Sequence, residues 1–248
     1  MSEAARIVVD YSSALEAGSL ANVDVVAPDA GKQRFGDPAP RATYTAAMRE
    51  ALRDGPDPVL CLVGPYGYSP AFTAASGGRN DLAREEIDPD RVHVLNVGRS
   101  FLGLGALATS LAAGGLPPDE AMAWLDDAGV ATGMWVVTES ERLETAPAEA
   151  FIEAPEGIPE EPYALLRVRL ASRVMGGFES VEEAAEAALA SVSAAGGVGL
   201  VANAPEGLDA WKQATPAPVE WRTCEPPTFL ATHFGEALCF AIAPRASA

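Results

Sequence analysis

Ser69 is the first residue in this chain whose type and setting suggest chemistry. It lies in VLCLVGPYGYSPAF, residues 59–72, after an apolar run and a turn rich in Gly and Pro. A Ser-Pro pair at the start of a predicted helix is typical of a helix cap, with Pro70 in the first helical position. Because backbone N–H groups and the helix dipole also favour an anion there, the Ser69 hydroxyl is a candidate ligand group as well.

A nucleophile is the competing interpretation of Ser69. Residues 67–71 read G-x-S-x-A, and the order Ser69, Asp209, His233 is that of the α/β-hydrolase triad. In a nucleophile elbow, however, the strand leads directly into the serine, whereas five residues intervene here, and no oxyanion loop precedes them. The glycine spacing also matches neither common phosphate-binding motif, so a nucleotide site is not supported.

Other polar residues are weaker candidates. Asp10 ends the first predicted strand, at the edge of a parallel sheet where ligands bind. His233 lies in ATHFGEAL, before a Gly turn, whereas His93 lies inside a strand and is interpreted as structural. The three cysteines lack metal-ligand spacing and are predicted to be buried thiols, so we expect neither a metal nor a cofactor.

Alternating elements position these residues. Strands are predicted at 5–13, 23–28, 59–63 and 91–97, with helices at 43–54, after residue 69, and over 101–113 and 117–128. This alternation predicts a parallel, doubly wound sheet. The alternation of strands and helices ends at the Pro- and Glu-rich segment after residue 145. We therefore predict a Rossmann-like α/β domain over 1–146 and an α+β domain over 147–248, with the ligand cleft between them.

Composition narrows the function classes. The 248 residues carry a formal net charge of −18, which argues against a nucleic-acid partner. The most apolar segment, 101–116, is too short to span a membrane, and no signal peptide is recognisable, so a cytoplasmic location without stable membrane insertion is expected.

The ordered set of segments resembles the DegV family of lipid-binding proteins, which includes the fatty-acid-binding subunits (FakB) of bacterial fatty acid kinase. RIVVDYSSAL is similar to the family's I-V-T-D-S-T-A-D-L and keeps Asp10. The segment around Ser69 is similar to I-S-S-x-L-S-G-T-Y-Q-S-A, and RVHVLNVGRSFLGLG is similar to V-x-V-I-D-S-x-x-x-S-x-G-x-G. PPTFLATHFGEAL is similar to G-P-V-I-G-T-H-T-G-P-G-A and places His233 on the family's His. The resemblance covers most of the chain.

This resemblance implies a two-domain DegV-like α/β fold, with a parallel N-terminal sheet and a smaller α+β C-terminal domain, that encloses a long-chain fatty acid. Ser69 and His233 would hold the carboxylate, beside Tyr68, Thr232 and Phe234. Hydroxyl donors, an imidazole and a helix start can together bind a carboxylate without a buried Arg. The implied partner is the catalytic subunit of a fatty acid kinase, and the chain itself would be a carrier rather than an enzyme.

Three departures qualify the resemblance. The family's T-S-Q-P-S segment, whose Thr also holds the carboxylate, is replaced by PRATY at 40–44, so Thr43 or Arg41 is expected to take that part. The G-G-R-I turn is missing after VVTESERLETA. Phe234 and Glu236 replace small residues beside His233. Lipid binding is therefore better supported than a kinase partnership.

Two alternatives stay open at this point. One is a serine hydrolase that uses Ser69, His233 and Asp209. The other is a DegV-like module that has lost its ligand and makes protein contacts only.

Overall fold

A computed structural model gives the fold of the chain. It describes residues 4–27, 39–54, 58–64, 70–97, 100–145, 157–169, 172–191, 196–203, 218–225 and 236–247. The following account concerns those residues.

The first sheet is parallel, as the alternation predicts. Its order is β2-β1-β3-β4, and its strands are β1 (Ile7–Asp10), β2 (Val23–Val26), β3 (Val59–Val63) and β4 (Val92–Asn96). All three strand pairs are parallel, so the four carboxyl ends meet at one edge. β1 and β3 are buried throughout, which is why their sequences are continuous apolar runs.

Helices cover both faces of this sheet. One face carries α1 (Arg41–Asp54) and α2 (Ala71–Leu82), and the other carries α3 (Phe101–Gly114), on which α4 (Pro118–Ala131) packs. The structure confirms the predicted doubly wound sheet. Short 3-10 helices follow β1 (Tyr11–Ser13), follow α2 (Ala83–Glu85) and precede β4 (Pro89–Arg91).

The second sheet has six strands in the order β7-β6-β5-β10-β8-β9. It is antiparallel except for the parallel pair β8 and β9. Its strands are β5 (Met134–Glu139), β6 (Tyr163–Val168), β7 (Ser172–Phe178), β8 (Gly197–Ala202), β9 (Val219–Thr223) and β10 (Leu238–Pro244), accompanied by α5 (Ser140–Thr145) and α6 (Val181–Ala190). Ser180 caps α6, because its hydroxyl accepts a hydrogen bond from the Glu183 N–H at 3.2 Å.

The α3 helix lies between the two sheets. Its residues 101–111 are all buried, and they share one apolar core with side chains of β1 and β3 on one side and of β5, β8 and β10 on the other. A separate core joins α6 to the outer face of the second sheet. The molecule is thus layered as α1 and α2, first sheet, α3 and α4, second sheet, α6.

The strand β5 lies near the predicted boundary between the two domains, at residues 146 and 147. β5 precedes residue 147 but pairs with β6 and β10 in the second sheet. Sheet membership therefore places β5 with the C-terminal elements, although the sequence places it in the N-terminal domain.

Candidate functional site at the edge of the first sheet

Asp10 lies where the sequence places it, at the carboxyl end of β1. Its side chain is only 1% exposed. The carboxylate oxygen Oδ1 accepts a hydrogen bond of 3.0 Å from the backbone N–H of Ser12 and so caps the 3-10 helix Tyr11–Ser13. Asp10 therefore fixes how the chain leaves the sheet edge.

Tyr44 of α1 supplies the second contact of Asp10. Its hydroxyl donates a hydrogen bond to Oδ2 of the Asp10 carboxylate, and the whole Tyr44 side chain is buried. Both carboxylate oxygens thus accept from a buried donor. Within the described residues, no Lys or Arg forms an ion pair with Asp10.

Among the described residues, the charge of this buried carboxylate is balanced by hydrogen bonds and by no cation. Burial raises the pKa of Asp10 above its usual 3.8, and the hydrogen bonds from Ser12 and Tyr44 oppose that shift in part. Burial and the Asp10 charge together raise the pKa of Tyr44, so its hydroxyl keeps its proton and remains a donor. On the adjacent β3, burial also raises the pKa of the Cys61 thiol.

Ser12 faces the end of β3. A Cβ atom at Gly64 would lie 3.1 Å from Ser12 Oγ and 3.7 Å from the nearest ring atom of Phe101, so these three residues meet closely. Ser12 is 9% exposed, and its side chain also interacts with the Asp10 carboxylate, where it opposes the rise in the Asp10 pKa. We call Asp10, Ser12, Tyr44, Gly64 and Phe101 the sheet-edge cluster.

Five of the predicted ligand residues lie outside the described residues. The segment with Tyr68 and Ser69 connects Gly64 of the sheet-edge cluster to Pro70, and the segment with Thr232, His233 and Phe234 precedes Glu236. Their assignment to the ligand stays a prediction. The start of α2 differs by one position from the predicted helix start, because Pro70 occupies the N-cap and its carbonyl accepts from Ala74 N–H at 3.1 Å.

Arg41 and Thr43 lie in the first turn of α1. The Arg41 guanidinium, on a side chain 47% exposed, donates from Nε and Nη2 to both carboxylate oxygens of Asp81 in α2. Arg41 is therefore engaged in an ion pair between two helices, and it is Tyr44 of the same helix that contacts Asp10. Thr43 is half-buried next to Tyr44 in the chain, and its predicted role stays a prediction.

A cavity of about 510 Å³ opens at the end of the second sheet. Its lining includes Thr138, whose buried hydroxyl has no partner among the described residues, and Asn203, which donates to the Ala237 carbonyl at 3.1 Å. The charged lining consists of two carboxylates, Glu139 and Glu236, and a single guanidinium. Because Arg142 already pairs with Glu139 at 2.9 Å, this cavity does not favour an anion.

Within the described ranges, no group of three or more His, Cys, Asp or Glu side chains is arranged to hold a metal ion. Nor is any described helix both long enough and apolar enough to cross a membrane. The cysteines are free thiols, with Cys61 and Cys239 buried as predicted and Cys224 half-buried, where burial raises its pKa to about 12.

Tyr44 is not among the ligand residues predicted from the sequence. One signal was present: Tyr44 and Met48 are four residues apart on the buried face of α1, so Tyr44 had to bring its hydroxyl into the core and find an acceptor there. The pattern does not identify that acceptor, because Asp10 lies 34 residues earlier in the chain.

Comparison with known proteins adds the fold family. Neither a protein-family model nor a curated protein matches the chain. Solved structures match it over nearly its whole length. A fatty-acid-binding DegV family protein from Thermus thermophilus matches with a TM-score of 0.71 at 18% identity, over 97% of this chain and 99% of that one.

Two further solved structures also match nearly the whole chain at low sequence identity. A stearic-acid-binding protein from Eubacterium ventriosum matches with a TM-score of 0.75 at 13% identity, over 98% of this chain and 99% of that one. A fatty acid kinase B protein from Streptococcus pneumoniae, loaded with linoleic acid, matches with a TM-score of 0.62 at 12% identity over the same shares. The chain therefore has a layered two-sheet α/β fold with a parallel first sheet. More particularly, it has the DegV fold, as the resemblance implies.

Proposed function

We propose that this chain is a diverged DegV protein that binds one long-chain fatty acid and acts as a carrier, not as a catalyst. The observation that carries the proposal is the full-length fold similarity to solved proteins that bind fatty acids. The chain matches these structures end to end, so the similarity extends to both sheets and to the α3 layer between them.

The carboxylate is proposed to bind at the carboxyl edge of the first sheet. Ser69 and His233 remain its proposed partners, since a hydroxyl and a protonated imidazole both donate to an anion. The segment that carries Ser69 starts at Gly64 of the sheet-edge cluster, which supports this location. The acidic cavity at the end of the second sheet is a poorer place for an anionic head group.

The acyl tail is proposed to lie in the apolar layer between the two sheets. There α3 offers buried apolar side chains towards both sheets. Each buried methylene adds about 0.8 kcal/mol, so the tail, not the head group, would supply most of the affinity.

The proposal extends to a protein partner, a fatty acid kinase. The fold similarity to the fatty acid kinase B protein of S. pneumoniae supports a kinase that phosphorylates the presented carboxylate. This part is tested by adding a fatty acid kinase catalytic subunit and ATP to the loaded protein and measuring acyl phosphate.

The binding itself is tested on protein purified from bacterial cells. Native mass spectrometry and gas chromatography of the lipid extract should give one fatty acid per chain. Ser69→Ala and His233→Ala should each weaken oleate binding by about 1–3 kcal/mol. Ser191→Ala is the matched control, because the Ser191 hydroxyl donates to the Ala188 carbonyl at the end of α6. An empty protein that takes up no oleate would refute the proposal, and covalent labelling by a fluorophosphonate would favour the hydrolase.

A further inference from the structure

Three arginines around β6 and β7 lack the acidic partners that other arginines of the chain have. Arg167 lies on β6, Arg169 follows the last residue of that strand, and Arg173 lies on β7. Within the described residues, none of the three forms an ion pair with a carboxylate, whereas Arg41 and Arg222 do. The chain has 35 acidic residues and only 17 Lys and Arg, so a group of unpaired cations is not expected from its composition.

The three side chains lie close together on the second sheet. Arg167 is directly opposite Arg173 of β7 and directly opposite Trp135 of β5, so these side chains share one face of the sheet. The guanidinium carbon of Arg167 lies 4.9 Å from the centre of the Trp135 ring. Arg169 donates from Nη2 to the Ala131 carbonyl at the end of α4, at 3.3 Å. We call Arg167, Arg169 and Arg173 the arginine surface.

The arginine surface brings like charges together without an anion to balance them. Burial and the neighbouring charge of Arg169 lower the pKa of Arg167. The Nε atoms of Arg167 and Arg169 are buried and have no hydrogen-bond partner in the described part of the chain. Like charges directly opposite each other, as at Arg167 and Arg173, destabilise a sheet. An anionic partner would remove this repulsion.

The dimensions of the arginine surface favour several carboxylates over one small anion. The row of opposite residues runs from β5 to β7, and neighbouring strands lie about 4.8 Å apart. Two exposed apolar side chains flank it. Val130 of α4, 53% exposed, adjoins the residue that Arg169 contacts, and Met175 of β7 is 48% exposed. A peptide segment that combines acidic and apolar residues matches both features.

An anionic membrane is a poorer match for the same surface. The formal net charge of the chain is −18, so an extended anionic plane would also repel carboxylates that lie away from the arginine surface. A short segment meets mainly the local charge, because salt at 0.1 M screens charges that are more than about 10 Å away.

We propose that the arginine surface is a docking site for an acidic peptide segment of a partner protein. Carboxylates of the segment pair with Arg167 and Arg173, and its apolar side chains contact Met175 and Val130. The inference goes beyond the proposed function, because it needs no bound fatty acid.

The test measures the fluorescence anisotropy of a labelled peptide of Glu, Ser and Leu at about 0.1 M salt. The wild type should bind this peptide about 10-fold more tightly than the same peptide with every Glu replaced by Gln. Arg173→Glu should weaken binding of the Glu peptide about 10-fold, because the substitution removes a cation and adds an anion on the arginine surface. Since Arg173 is exposed, the unfolding midpoint of this variant should stay close to that of the wild type.

Arg222→Glu is the matched control. Arg222 lies on β9, the strand at the opposite edge of the same sheet, and it pairs with Glu220 at 3.0 Å. The substitution changes the net charge of the chain by the same amount as Arg173→Glu does. It should leave the affinity for the Glu peptide within about twofold of the wild type, because the change lies far from the arginine surface.

Equal affinity of the Glu and Gln peptides, unchanged binding in Arg173→Glu, or an equal loss in Arg222→Glu would each overturn the inference. Binding to phosphatidylglycerol vesicles that depends on Arg173, without binding of the Glu peptide, would also overturn it and make the surface a membrane contact. Oleate affinity should be the same in Arg173→Glu and in the wild type. The docking site and the proposed fatty acid binding can therefore fail separately.

Discussion

The Tyr44 hydroxyl donates a hydrogen bond to the Asp10 carboxylate and thereby joins α1 to the carboxyl end of β1. Both groups are buried, and the other Asp10 oxygen accepts from the Ser12 N–H. A carboxylate removed from water without a cation depends on such donors for its stability. Two predictions follow from this pair, one on the donor and one on the charge.

Tyr44→Phe should destabilise the protein by about 1–3 kcal/mol at pH 7, because it leaves the buried Asp10 carboxylate with one donor fewer. Urea denaturation followed by circular dichroism measures this change. Tyr163→Phe serves as the control: Tyr163 is half-buried at the start of β6, and the expected change is below about 0.5 kcal/mol. Equal stability of Tyr44→Phe and wild type would contradict the prediction, as would an undiminished loss in an Asp10→Asn background.

Asp10→Asn should change how stability depends on pH. Since burial raises the pKa of Asp10 above 3.8, the folded protein binds this proton more tightly than the unfolded chain does. Its contribution to stability is full below pH 3.8 and is lost as the pH rises through the higher pKa of the folded state. The free energy of unfolding of the wild type minus that of Asp10→Asn should therefore fall as the pH rises above about 4, because the other carboxylates cancel in the difference. A rise over that range would contradict the sign.

Local pattern predicted much of the fold. The run VLCLV forms β3 over Val59–Val63 as predicted, and the helix expected over 43–54 is α1. These elements can be predicted from short stretches of sequence, because the spacing of apolar residues and the helix stop signals lie within each stretch. The membership of β5 in the second sheet is different, because it is decided by pairing of Met134 with Ala241, and no window of sequence contains both partners.

The site was predicted less completely for the same reason. The position of Asp10 at the end of β1 is predictable because the end of a parallel strand is a local feature. Its hydrogen bond with Tyr44 is not, since Tyr44 belongs to another element. Arg41 was considered as a partner of the carboxylate because of its place in PRATY, but its ion pair with Asp81, 40 residues later, could not be seen there.

Arg41→Ala should leave oleate affinity within about twofold of the wild type. The guanidinium is engaged by Asp81 and is half-exposed, so the variant should also lose no more than about 1 kcal/mol of stability. Isothermal titration with oleate and urea denaturation provide the two readouts. Ser69→Ala, measured in the same series, shows the size of loss expected of a ligand residue. A 10-fold loss of oleate affinity in Arg41→Ala would instead make Arg41 the partner of the carboxylate.

Gly105→Ala should destabilise the protein strongly. A Cβ at Gly105 would lie 2.1 Å from the Ser13 carbonyl oxygen, so either α3 or the chain after β1 must move. Gly77→Ala is the matched control within a helix: its Cβ would meet the flexible Arg41 side chain at 3.0 Å, and alanine favours a helix by up to about 1 kcal/mol. Thermal unfolding should therefore show a lower midpoint for Gly105→Ala only. An unchanged midpoint for Gly105→Ala would show that α3 does not pack on the turn after β1.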